Sequence, residues 1–308
     1  MRNTCSHIVP FGDFKIFLQP DGKIVVSDLA EGLIPVLKRV GADPCLWKKS
    51  ECAVAEPKIK RNRHRLPELI EEVRRQMQPC RLCERQCKVN RLSGEVGFCG
   101  LDYRLRLFAC SNLYNEGLLV GSPTFGIYLS GCALRCRTCY RQENWIAEQG
   151  ILFTPIHLAS LLDDATTGGS QSWMFLGGNP DQSVLGILET LQLTKVPIPV
   201  VWNTALWSTL EILTVLREIV DIWIIDIKFG NNECAVRKSG VSDYVETIVH
   251  NTELLKDESH VVFRHGVQEG HFDCCTIPIR RQMDQIGYGT YWEHEVFDYP
   301  LPGGMIET

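Results

Sequence analysis

The chain has no apolar run long enough to cross a bilayer, and its first residues, MRNTCSHIVPFGDF, lack the long apolar core of a secretory signal. Neither a G-x-S-x-G nor an H-E-x-x-H segment occurs, which removes two common hydrolase signatures. No internal repeat or low-complexity tract is present. A strong excess of either charge is also lacking: the formal net charge is −5, with no basic footprint for nucleic acid or for an anionic membrane. These absences lead to the expectation of a soluble cytoplasmic protein. With 308 residues, 44% of them apolar, the chain can bury a sizeable core as one large domain or two small ones. What it has in excess is cysteine, fourteen in all. A disulfide framework is the habit of small secreted domains, and this chain is neither small nor visibly secreted. Two of its cysteine groups have short regular gaps, which fits metal or iron–sulfur ligation better.

Residues 1–78 read as a modest, mainly helical region. Leu33, Val36, Leu37 and Val40 follow the spacing of one helical face, with Gly41 to end it. Leu66, Leu69, Ile70, Val73 and Met77 do the same, with Pro67 in the first turn. The basic stretch KIKRNRHR (58–65) between them reads as a solvated linker. From about residue 122 the rhythm changes. Strand-like runs at 125–130, 172–177, 198–203, 221–226 and 260–265 alternate with amphipathic helices, and Thr154-Pro155 predicts a capped helix start. Such alternation predicts parallel strands in an α/β sheet or barrel, where ligands sit at the carboxyl ends of the strands. Each strand run ends in polar or glycine-rich residues: Ser130-Gly131-Cys132, Gly177-Gly178-Asn179, Asn203-Thr204, Asp226-Ile227-Lys228 and Arg264-His265.

The segment GCALRCRTCY places Cys132, Cys136 and Cys139 on a loop after the first of these strands. Thiolates hold zinc or iron–sulfur clusters. A closed metal site takes four ligands, so three leave one position open for a substrate, unless a fourth comes from elsewhere. Arg135 and Arg137 would offset the negative charge of a thiolate-ligated group. Upstream, CRLCERQCKVNRLSGEVGFCG supplies Cys80, Cys83, Cys87 and Cys99, four thiols that fit a closed site holding zinc or a second [4Fe–4S] cluster. Of the remainder, Cys110 and Cys234 have no pattern, and the adjacent Cys274-Cys275 reads as small apolar packing.

The triplet, followed in order by MFLGGNP (174–180), VWNTALW (201–207), VDIWIIDIKFG (220–230) and VVFRHGVQEGH (261–271), resembles the radical S-adenosylmethionine (radical SAM) superfamily. Within it, the pyruvate formate-lyase activating enzyme-related branch is the most similar, over roughly 80–280. The resemblance implies a partial (β/α) barrel preceded by a cysteine-rich knuckle. It implies a [4Fe–4S] cluster on Cys132, Cys136 and Cys139 that binds SAM and cleaves it by one electron, giving a 5′-deoxyadenosyl radical that abstracts hydrogen from a protein substrate; the alternatives are a radical SAM enzyme acting on a small metabolite and a zinc-stabilised binding protein with a decayed barrel. The electron would come from a flavodoxin- or ferredoxin-like donor. Gly177, Gly178 and Asn179 would meet the SAM amino group, Asn203 and Thr204 its ribose, Arg264 its carboxylate, and Asp226 with Lys228 the cofactor or the substrate backbone. Two positions depart from the family pattern: Thr138 stands before the third cysteine where an aromatic or apolar residue is usual, with Tyr140 the neighbouring candidate for the adenine contact, and Glu269 replaces a proline. Five strands are legible where the family has six. The expected organisation is a helical region to 78, the cysteine-rich segment 79–121, the barrel 122–280 and a divergent tail 281–308.

Overall fold

Alternation of the strand segments settles the architecture, because successive side chains leave opposite faces of a strand. The computed structural model describes residues 15–18, 24–27, 52–113, 119–137, 139 and 146–296. In chain order the elements begin with β1 (Lys15–Leu18) and β2 (Ile24–Ser27), an antiparallel hairpin, then α1 (Leu66–Gln76). Next come β3 (Leu105–Leu113), β4 (Thr124–Leu129), β5 (Ile151–Phe153) and α2 (Pro155–Thr167). They are followed by β6 (Ser172–Gly177), α3 (Val184–Leu193), β7 (Val200–Thr204), α4 (Leu210–Arg217) and β8 (Ile222–Ile227). The described chain closes with α5 (Asn232–Ser239), α6 (Tyr244–Glu253), β9 (Val261–Gln268), α7 (Ile277–Ile286) and β10 (Thr290–Val296).

Eight strands form one open mixed sheet in the order β10-β9-β8-β7-β6-β4-β3-β5. The pairs from β4 through β6, β7, β8 and β9 to β10 are parallel; β3 is antiparallel to both β4 and β5. One face is covered by helices. Trp173, Phe175, Trp202, Trp223, Ile225 and Phe263 share a buried cluster with Leu69 of α1, Leu162 of α2, Ile187 of α3, Ile212 of α4, Tyr244 of α6 and Ile279 of α7. Phe175 pairs with Trp202, and Trp202 with Trp223, so a row of aromatics crosses three strands under the helices. The alternate residues Met174, Val201, Ile222 and Ile224 line the opposite face with Leu113 and Val120.

Several expectations change here. Residues 1–78 contain the β1–β2 hairpin as well as α1, and the Leu33–Val40 stripe lies outside the described residues. The basic stretch is a strap rather than a solvated linker: the Lys58 Nζ donates to Glu258 (2.5 Å) and to the Arg217 carbonyl (2.9 Å), and Arg65 pairs with Glu218 (2.6 Å). The segment 79–121 contains β3, nine residues long. A sixth parallel strand, β10, follows α7, so the sheet runs past residue 280 to Val296. Its polar–aromatic sequence TYWEHEV hides it from a search for apolar runs, as befits the edge strand it is among the described residues. No helix among the described residues is long and apolar enough to cross a membrane.

Candidate functional site

Asn203, Asp226, Lys228 and Arg264 stand on the face opposite the helices, continuing the Val201 and Ile222-Ile224 rows toward the carboxyl ends of β7, β8 and β9. The β8–β9 register sets Asp226 beside Arg264. Arg264 Nε donates to Asp226 Oδ1 (2.8 Å) and its Nη2 to Asn203 Oδ1 (2.9 Å). Asn203 Nδ2 (3.1 Å) and Lys228 Nζ (3.2 Å) both donate to Asp226 Oδ2. Burial works against the Asp226 charge, but the Arg264 and Lys228 cations and the hydrogen bonds from Arg264 and Asn203 outweigh it and hold the carboxyl well below the usual carboxylate range. The four side chains predicted from the strand ends are therefore one connected polar layer.

The cysteine triplet leaves β4 beside this layer. Cys132 is buried, and the Cys139 N–H donates to the Cys136 carbonyl (3.0 Å), folding the loop back on itself. Burial pushes the Cys132 and Cys136 thiols up, and neighbouring cysteines push the same way. The Leu134 and Arg135 N–H groups oppose this at Cys132, and the Lys228 cation opposes it at both. Thiols at Cys132 and Cys136 that burial pushes up, beside one ammonium, suit an occupant that brings positive metal charge and displaces the protons. Thr138 and Tyr140 lie outside the described residues.

The four upstream cysteines converge as well. Cys80, Cys83 and Cys99 are buried, and the Phe98 N–H donates to the Cys87 sulfur (3.3 Å). Burial pushes Cys83 and Cys99 up, reinforced by the other cysteines of the group. Arg85 joins this knuckle to the triplet. Its Nε donates to the Ala133 carbonyl (3.1 Å), its Nη2 to Ser239 (2.5 Å), and its guanidinium lies 3.9 Å over the Phe98 ring. Cys83→Ala is expected to remove the metal of the knuckle and lower the melting temperature while the triplet's own absorption remains. Metal analysis with a visible spectrum checks this, and unchanged metal content would exclude a site there.

The remaining expected contacts are already occupied within the chain. Gly177 has φ +114°, and a Cβ there would sit 2.3 Å from the Leu129 carbonyl, so glycine is required for β6 to close on β4. The Gly178 N–H donates to that same carbonyl (2.8 Å), and the Asn179 N–H to Gly131 (3.0 Å). Asn179 Oδ1 accepts from Ala205 N (3.1 Å). Thr204 is buried and donates to Asp181 Oδ2 (2.8 Å). Asp181, which sequence reasoning missed, also accepts from Trp202 Nε1 (2.7 Å) and from Ser208. The signal for it was faint: a lone acid directly after Asn179-Pro180, and so next to a strand end. Sequence reasoning also missed Cys234, His271, Cys274 and Cys275, whose donor atoms all lie within 4.8 Å of one another.

Comparison with known proteins finds similarity to a family model, to a curated protein and to solved structures. A family model described as a 4Fe-4S single cluster domain matches residues 121–246, which include the triplet and exclude the knuckle. The protein MJ0674 of Methanocaldococcus jannaschii is 37% identical over 207 residues, 64% of this chain and 59% of that protein, so the chain spans about three fifths of the relative's length. Crystal structures of Streptococcus suis SuiB also overlap. With precursor peptide SuiA bound, the overlap covers 53% of this chain and 37% of SuiB at TM-score 0.42 and 13% identity. With S-adenosylmethionine bound, it covers 56% and 39% at TM-score 0.42 and 14% identity.

Proposed function

We propose that the chain is a radical SAM iron–sulfur oxidoreductase in which Cys132, Cys136 and Cys139 hold a [4Fe–4S] cluster with one iron left open for S-adenosylmethionine. The observation that carries this reading is position. A three-thiol loop leaves β4 beside the polar layer of Asn203, Asp226, Lys228 and Arg264, and the Lys228 charge reaches Cys132 and Cys136. The 4Fe-4S domain match over 121–246 supports the cluster. When bound, the cluster and SAM supply a 5′-deoxyadenosyl radical and methionine on arrival of one electron, and the protein's part is binding and orientation.

That part falls to named groups. Arg264, held flat by Asp226 and Asn203, presents a guanidinium of fixed orientation, the geometry that suits a carboxylate. Lys228 offsets thiolate charge. Arg85 fixes the Ala133 carbonyl and so the start of the cysteine loop. Asp226 keeps both cations in place, ionised at any working pH. The finer reading follows the activating-enzyme resemblance: a protein substrate that loses hydrogen, and a flavodoxin- or ferredoxin-like donor. The knuckle of Cys80, Cys83, Cys87 and Cys99 is read as a second [4Fe–4S] cluster in preference to zinc, because the donor group compact enough for a single ion lies elsewhere. Anaerobic purification should give brown protein with iron and acid-labile sulfide in equal amounts, about eight of each for two such clusters. Reduction should then turn SAM into methionine and 5′-deoxyadenosine. Colourless protein without sulfide would defeat the reading.

A further inference from the structure

We propose that Cys234, His271, Cys274 and Cys275 form a closed structural Zn²⁺ site, distinct from both cysteine groups described above. The proposal does not depend on the radical SAM reading. A tetrahedral Zn²⁺ with Zn–S about 2.3 Å and Zn–N about 2.0–2.1 Å sets its sulfurs ~3.8 Å apart and sulfur from nitrogen ~3.6 Å apart. Here the Cys234 and Cys274 sulfurs are 3.8 Å apart. His271 Nδ1 lies 3.5 Å from Cys234 Sγ, 3.4 Å from Cys274 Sγ and 4.0 Å from Cys275 Sγ. All four donor atoms fit within 4.8 Å of one another, room for one ion and not for a four-iron cluster. Three sulfurs and one imidazole nitrogen are a donor set that selects zinc. A Cys234–Cys274 disulfide is the competing use of two of these thiols, but a bonded pair stands only about 2.05 Å apart.

The surroundings are built for such an ion. Asn231 caps α5 by accepting from the Cys234 N–H (2.8 Å), and its Nδ2 reaches Cys234 Sγ (3.4 Å), Cys275 Sγ (3.9 Å) and the Cys274 carbonyl. Arg237 Nη2 lies 3.3 Å from Cys234 Sγ, a cation against the single negative charge that three thiolates leave on a bound Zn²⁺. A five-residue π-turn, Phe272–Thr276, carries both adjacent cysteines, and π-turns recur at functional sites. Its fit against the β8 loop demands glycine at 230, where a Cβ would sit 2.2 Å from the Cys275 carbonyl. The consequence reaches the triplet: the Arg137 N–H donates to the Lys238 carbonyl at the end of α5 (2.8 Å), so an ion on Cys234 and the π-turn would pin the helix that holds the cysteine loop.

The test measures zinc, iron and acid-labile sulfide on the full wild-type chain, on Cys274→Ser and on His271→Ala. Wild type should carry about one more Zn²⁺ per chain than either variant, with iron unchanged. Equal zinc in all three overturns the site. Because a variant could fail to fold, the wild-type chain is also alkylated, with labelled thiols mapped by mass spectrometry, before and after zinc is stripped by a chelator. Cys234, Cys274 and Cys275 should be protected together and become reactive in step with zinc release. Reactivity before stripping, or a disulfide-linked Cys234–Cys274 peptide, overturns it equally.

Discussion

Cys132→Ala, Cys136→Ala and Cys139→Ala are each expected to abolish SAM cleavage and to remove about four irons per chain, the content of one [4Fe–4S] cluster. Toward the knuckle sulfurs, Arg85 stands between the two groups with its guanidinium committed to the Ala133 and Ser239 carbonyls and the Phe98 ring. Losing one ligand of a three-ligand cluster leaves it two. The variants should still fold, because each removes one sulfur while Ala133 and Leu134 keep the loop's place in the buried cluster that includes Trp173, Trp202 and Trp223. Iron analysis and detection of 5′-deoxyadenosine check the expectation, and undiminished cleavage in any one variant would remove that cysteine from the site.

Arg264→Ala should carry the second largest effect. It strips Asp226 of the cation that lies beside it in register and leaves the carboxylate, 23% exposed, to Lys228 and Asn203. Removing one partner of a largely buried pair costs about 3 kcal/mol, the lower end of the range because the pair retains some solvent. Arg264→Lys should recover only part, since an ammonium cannot serve Asp226 and Asn203 with one planar fork. The pH dependence follows from the direction of the Asp226 shift. Its folded-state pKa is depressed, so its contribution to stability is complete above the unfolded value, about 3.9, and is lost as pH falls through the lower folded value. In Arg264→Ala, burial gains on the remaining cation and the folded value rises toward the unfolded one, so the acid loss from this group is smaller and ends at a higher pH. Chemical denaturation of both proteins from about pH 3 to 8 reads this, and identical pH profiles would contradict it. On the proposed function, the folded variant should also bind SAM about ten- to hundredfold more weakly in calorimetry.

What could be read in the sequence follows from how local each feature is. β6 was legible to its end residues, because SWMFLG is an unbroken apolar run with a glycine stop. The Thr154 cap was legible because one hydroxyl and one proline specify it, and its oxygen does accept from His157 N. The polar layer was half legible. Alternation put Asp226 and Lys228 on one face, but only the β8–β9 register brings Arg264 to Asp226, and no spacing within one strand encodes that. β3 was missed since its alternation, LRLFACSNL, is broken by the register shift between Leu107 and Ala109. The hydrogen bond from Thr204 to Asp181 was not legible, because Asp181 is a buried acid that no motif flags. The Cys234 group was invisible for a similar reason: its members span 234 to 275 and meet only through a π-turn, so adjacency at Cys274-Cys275 looked like packing.

Electron paramagnetic resonance of the anaerobically reduced chain, recorded with and without SAM, tests the central claim most directly. The account predicts the signal of a reduced [4Fe–4S] cluster whose shape changes on adding SAM, a change lost in Cys136→Ala while any knuckle signal persists. A reduced cluster signal indifferent to SAM, or none at all in protein that retains its metal, would contradict it.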